Sequence, residues 1–130
     1  MQVNTERLMK ILGLDHIQLA MPPGQEAQAR RFYGEILSLS EIPKPAPLAS
    51  RGGCWFAGSG IVVHLGVEEN FTPARKAHPA FRVADLTACR QILEAAGASI
   101  IPDDILPHVR RFHTTDPFGN RIEFVQEGDT

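Results

Sequence analysis

The 130-residue sequence predicts an α+β fold made of two copies of one unit, strand–helix–strand–strand–strand. Three observations carry that prediction. A histidine-led syllable occurs twice, as Leu14-Asp15-His16-Ile17-Gln18-Leu19 and as Ala77-His78-Pro79-Ala80-Phe81-Arg82-Val83. The two histidines stand 62 residues apart, close to half the chain. Each syllable is followed by a helical stripe and then by short strand-like runs bounded by glycine or proline. An internal repeat of this kind sets the architecture before any single element does. Neither half closes a core alone, so the two sheets are expected to come together around a shared space.

The elements follow in order. Thr5 to Leu12 reads as a short helix with Leu8, Ile11 and Leu12 on one side. Leu14 to Ala20 alternates, with Ile17 and Leu19 on one face and His16, Gln18 and Ala20 on the other, which is the signature of a strand. Pro22-Pro23-Gly24 ends it. From Gln25, the positions Ala29, Phe32, Tyr33, Ile36 and Leu37 form the stripe of an amphipathic helix. Pro43, Pro45 and Pro47 mark a stiff loop or edge segment. Cys54 to Ala57 and Ile61 to Val67 read as a hairpin around Gly58-Ser59-Gly60, and Glu68 to Lys76 as a polar connection. The pattern then restarts with a strand from His78 to Val83. A helix follows, with Asp85 as N-cap and Gly97 just past its end. Ser99 to Ile101, Val109 to Thr115 and Arg121 to Gln126 complete the second half as strands.

Length and charge exclude several classes. Residues 1–130 are expected to form one domain, with module one over about 12–68 and module two over about 76–127. Thirteen basic against fifteen acidic residues, with no more than two basic residues in a row, argue against nucleic acid and anionic membrane as partners. The apolar runs fall far short of the roughly 20 residues that span a bilayer. Asn4, Glu6, Arg7 and Lys10 interrupt the N-terminus, so no signal-peptide core is read there and a cytoplasmic location is expected. Cys54 and Cys89 form no CxxC and are expected as free buried thiols. The paired glycines have no helix behind them, which argues against a phosphate loop.

Alternation also sorts the polar residues. Ile17 and Leu19 leave His16 on the opposite face, and Ile122 and Phe124 do the same for Glu123. Arg111 and His113 have parity opposite to Phe112, so they line the cavity or form a surface salt bridge. Trp55 faces His64 across the hairpin if its loop holds an even number of residues, and serves as pocket wall or core. His108 reads as a surface residue.

The motifs Leu14-Asp15-His16-Ile17, Arg31-Phe32-Tyr33, His64-Leu65-Gly66-Val67-Glu68, His78-Pro79-Ala80-Phe81 and Asp116-Pro117-Phe118-Gly119-Asn120-Arg121-Ile122-Glu123-Phe124 occur in that order. Together they resemble the glyoxalase/bleomycin-resistance/extradiol-dioxygenase superfamily, the vicinal oxygen chelate proteins. The resemblance runs from about Leu14 to Gln126. It implies paired βαβββ modules forming a curved mixed sheet around a central metal and substrate cavity. It also implies metal ligands on the first and last strand of each module, here His16, His64, His78 and Glu123. The glyoxalase I branch usually has glutamate at the His64 position, so this sequence departs from it there. The dioxygenase and fosfomycin-resistance branches use only the positions of His16, His78 and Glu123. A lone histidine usually fills a hydrogen-bonding role, and the matching pattern at four positions is what turns His16 toward metal binding. Two imidazoles and a carboxylate suit Fe, Mn, Zn, Ni or Co.

The expected function is a metal-dependent enzyme, a lyase, isomerase or ring-cleaving dioxygenase, acting on a small oxygen-rich substrate. Glu123 and His64 are the candidate catalytic residues, and Trp55, Arg111 and His113 the candidate substrate contacts. The alternative is a metal-free protein that sequesters an antibiotic or other aromatic ligand. A homodimer is expected, with the modules paired within one chain or exchanged between two.

Overall fold

The structure is a computed structural model, and it describes residues 7–129. Two four-stranded mixed sheets account for the strands. In the first, β1 (Ile17–Met21) lies parallel to β4 (Ile61–Val67), followed by antiparallel β3 (Cys54–Gly58) and edge strand β2 (Ser40–Ile42). In the second, β5 (Ala80–Val83) lies parallel to β8 (Arg121–Gln126), followed by antiparallel β7 (Arg111–Thr115) and edge strand β6 (Ile101–Pro102). The strand order is the same in both, as the histidine repeat implies. This is the α+β architecture of two βαβββ modules.

Each parallel pair is joined through a helix. Helix α1 (Glu26–Ala29) continues as a π-helical stretch, Arg30–Ile36. Regular α-helix was expected here, and the ladder instead widens, with Leu37 N–H donating to the Phe32 carbonyl five residues back at 2.9 Å. Ser38, in the left-handed region at φ 61°, ends the coil. A short helix α2 (Ala46–Ala49) sits in the proline segment. Helix α3 (Leu86–Ala95) is capped by Asp85, whose carboxylate accepts from Ala88 N–H at 3.1 Å, and Gly97 follows it at φ 82°.

Some boundaries differ from the expectation. The N-terminal helix read over Thr5–Leu12 begins outside the described residues, and residues 9–14 carry neither helix nor strand. Both histidines of the repeat stand just ahead of their strands rather than inside them. At His78 the cause is Pro79, which has no N–H to give the ladder. Its carbonyl accepts from Glu123 N–H at 3.0 Å, and the strand starts at Ala80.

The helix-side faces of both sheets feed one apolar cluster. It holds Leu19, Met21, Phe56 and Leu65 from the first module and Phe81, Phe112, Ile122 and Phe124 from the second, with Phe32, Tyr33 and Leu93 from the helices. Polar ties cross between modules as well. Tyr33 Oη donates to Asp116 at 2.7 Å, and Asn120 Nδ2 donates to the Ala20 carbonyl at 2.8 Å. The opposite faces of the two sheets carry the candidate site residues. Cys54 is buried, Cys89 is partly buried, and both are free thiols. Among the described residues no helix is long and apolar enough to cross a membrane.

Candidate functional site

In the second sheet, register puts His113 of β7 directly beside Glu123 of β8, with Ala80 of β5 on the other side of Glu123. His78 precedes Ala80 by two residues and shares its face. His78, His113 and Glu123 therefore converge, with one ligand atom from each lying within 4.8 Å of the others. Among the described residues this is the one His, Cys, Asp and Glu cluster compact enough to hold an ion.

The hydrogen bonds of His78 define its tautomer. Its Nδ1 lies 2.7 Å from the Lys76 carbonyl, which can only accept, so Nδ1 carries a proton. Nε2 then faces Glu123 Oε1 at 2.9 Å. Both atoms then point at the same small space, where they can share a proton or hold a cation. His113 is held differently. Arg121 Nε donates to its Nδ1 at 3.1 Å, which leaves Nε2–H to donate to Asp103 at 2.9 Å. Both of its ring nitrogens are engaged. That hydrogen bond from His113 holds the Asp103 carboxyl below the usual range. Arg111 lies on the same face, 3.2 Å from Asp103 and 3.5 Å from Glu123. Of the readings open to Arg111, the salt bridge is the one the structure holds.

The first sheet carries a separate group. Its hairpin loop has two residues, so Trp55 pairs with His64. Their rings stack at 3.7 Å between centroids with 1° between planes. His16 stacks on the other side of His64 at 4.0 Å. Trp55 lies on the face away from the core. Burial, reinforced by the neighbouring His16, holds the His64 imidazole below its usual value, so it favours the neutral form. His16 Nδ1 lies 2.8 Å from the Asp15 carboxylate, which fixes the proton there and leaves Nε2 free.

The structure thus brings His78, Glu123, His113 and Arg111 together on one sheet, and His16, His64 and Trp55 on the other. The four candidate ligands do not form one cluster within the chain. His108 is exposed. Asp103 and Arg121 were not singled out in the sequence. Arg121 was findable, because it stands two residues before Glu123 and shares its parity. Asp103 was not, because an irregular stretch separates β6 from β7.

Two mixed βαβββ sheets, each with a histidine ahead of its first strand and a polar residue facing it on its last, define a recognisable class. The chain belongs to the Glyoxalase/Bleomycin resistance protein/Dioxygenase superfamily, whose family model matches residues 13–124. Among solved structures, a glyoxalase family protein from Bacillus anthracis is 50% identical, with a TM-score of 0.88, covering 92% of this chain and 98% of that one. The fosfomycin resistance protein FosX from Listeria monocytogenes is 17% identical at a TM-score of 0.70, covering 90% and 92%. TnmS3, an antibiotic binding protein from Streptomyces sp. CB03234, is 20% identical at a TM-score of 0.68, covering 90% and 98%. At such identities the last two share the fold alone. No curated protein matches the sequence.

Proposed function

We propose that the chain is a metal-dependent enzyme acting on a small oxygen-rich substrate, by lyase, isomerase or ring-cleaving dioxygenase chemistry. In this reading His78 and Glu123 of one chain and His16 and His64 of a second hold a divalent ion. The observation that supports it is the His78 ring. Its Nδ1–H is anchored on a backbone carbonyl while Nε2 faces a carboxylate. Metal-bound histidines are oriented in the same way, their second nitrogen donating to a carbonyl or carboxylate. His16 repeats the arrangement with Asp15. The donor set of imidazoles and a carboxylate fits Fe, Mn, Zn, Ni or Co.

When bound, such an ion polarises substrate oxygens as a Lewis acid. The chain's own residues supply the rest. Arg111 orients Glu123 through the 3.5 Å contact. His64, kept neutral by burial, is available as a ligand or to accept a proton. Trp55 backs His64 and forms a flat apolar wall beside it.

The test is metal content of untagged protein, followed by calorimetric titration of wild type, His78→Ala and His108→Ala. Stoichiometric metal is expected in wild type, with affinity lost by about tenfold or more in His78→Ala and unchanged in His108→Ala. Binding is expected to weaken as pH falls through about 6.5, where free imidazoles take up protons. Equal affinities in the two variants would sink the assignment.

A second reading has one observation in its favour. The His16–His64–Trp55 stack is an aromatic platform suited to a flat ligand. Failure to bind any of the candidate ions, together with saturable binding of planar aromatic compounds quenched at Trp55, selects this reading.

A further inference from the structure

The open face of the second sheet carries two guanidinium groups with different surroundings. Arg111 is committed to Asp103 and Glu123. Arg121, partly buried, has no carboxylate within 4.0 Å among the described residues. Its Nε donates to His113, and one outer nitrogen donates to the Arg75 carbonyl at 3.4 Å. The other lies 3.3 Å from His113 Nε2, whose proton goes to Asp103. A guanidinium has five N–H donors, so several remain without an acceptor. Arg75 also lacks a carboxylate partner among the described residues.

Arg75 and Arg121 line one cleft of about 540 Å³, with His113 and Thr115 among its walls. Thr115 pairs with Arg121 across β7 and β8, and His113 pairs with Glu123 two residues along the same ladder. One wall of the cleft, His113, therefore stands beside Glu123. A partly buried cation without a counter-charge carries a desolvation cost that a bound anion would offset. The planar fork of arginine matches an oxyanion better than any other side chain.

We propose that this cleft binds the oxyanion group of the substrate, a phosphate, phosphonate or carboxylate, through Arg121 and Arg75. This names the substrate class for the site proposed above and rests on that reading for its link to catalysis. The binding itself requires no metal, which separates the two tests. Metal-free protein, dialysed against EDTA, is titrated with inorganic phosphate at constant ionic strength and followed by calorimetry. Saturable binding is expected. Arg121→Gln should weaken it by about tenfold or more, with Arg121→Lys intermediate, because lysine keeps the charge and loses the fork. Arg75→Gln should weaken it too, and this residue's side chain holds no hydrogen bond that folding depends on among the described residues. Arg51→Gln, exposed and away from the cleft, should leave it unchanged.

The proposal is overturned by the absence of saturable phosphate binding. It is overturned equally by unchanged affinity in folded Arg121→Gln and Arg75→Gln protein, or by an equal loss in Arg51→Gln, which would mark diffuse charge attraction. Phosphate binding in protein that takes up no metal would reject the metal reading and leave the oxyanion site standing. Metal uptake without phosphate binding would do the reverse.

Discussion

Asp116 is a buried carboxylate with no cation within 4.0 Å among the described residues. Hydrogen bonds stand in for the charge. It accepts from Tyr33 Oη at 2.7 Å, and from Phe118 N–H, Asn120 N–H and Asn120 Nδ2 at 2.9 Å each. Such donors stabilise an ionised carboxylate in place of water. The Asp116-Pro117-Phe118-Gly119-Asn120 motif is thus a clamp, tying the turn to the module-one helix through Tyr33. Burial, then the Asp116 charge, pushes the Tyr33 phenol well above its ordinary value of 10.0. Between the unfolded and folded pKa the unfolded chain has released the proton and the folded chain has kept it. The phenol's contribution to stability is therefore complete below about pH 10 and is lost as pH rises beyond it. Tyr33→Phe should cost about 1–3 kcal/mol at neutral pH, because Asp116 loses a buried partner. It should also shrink the alkaline decline, leaving the part that the Cys54 and Cys89 thiols contribute, since burial pushes both of them up as well. Urea unfolding across pH reads both, and phenolate absorbance reports on this residue alone, since the chain has one tyrosine. A neutral substitution with an unaltered alkaline limb would show that the clamp does not operate.

At the scale of elements, the start of β3 depends on backbone proximity. Gly53 sits at φ 83°, and a Cβ there would lie 2.1 Å from the Leu65 carbonyl oxygen. Its N–H donates to Glu26 at 3.0 Å, which holds the Glu26 carboxyl below its usual value and links the hairpin to the helix start. Gly60, in the β3–β4 turn, has a similar φ of 81°, and a Cβ there would meet nothing within 4 Å. Comparing the two isolates the contact from the strain. Gly60→Ala is expected to cost about 1 kcal/mol from left-handed backbone. Gly53→Ala is expected to cost at least about 1 kcal/mol more, because β4 must move. Chemical denaturation measures the difference, and equal costs would reject the close approach as the reason for glycine.

At the scale of the whole molecule, the core and the site lie on opposite faces of the same sheets. The helix-side faces meet in one cluster, which leaves His16, His64 and Trp55 on one open face and His78, His113 and Glu123 on another. In the proposed homodimer each cavity joins the first group of one chain to the second group of its partner. Mixing His16→Ala with Glu123→Ala protein tests this directly. In a mixed dimer of exchanged modules both lesions fall in one cavity and the other is whole. Metal binding should then reappear on mixing, at one ion per mixed dimer, with dimer mass confirmed by light scattering. Continued absence of binding in mixed dimers would place each site within a single chain.

Residue order was enough to reveal the repeat, the two strand–helix–strand–strand–strand modules and the face on which Glu123 stands. Those properties are local: side chains alternate with period two along a strand, so Ile122 and Phe124 oblige Glu123 to face the other way. The edges of elements were less legible. Strand β2, three residues long and next to the prolines, is too short to show a period, and the widening of the helix after Ala29 leaves the apolar stripe unaltered. Which of these residues meet was settled only by folding. Asp103 reaches His113 across an irregular loop, Arg111 is neutralised while Arg121 is left without a carboxylate among the described residues, and His78 is fixed by the Lys76 carbonyl. Most of these contacts depend on register between strands or on the path of a loop, and no spacing along the chain encodes those distances.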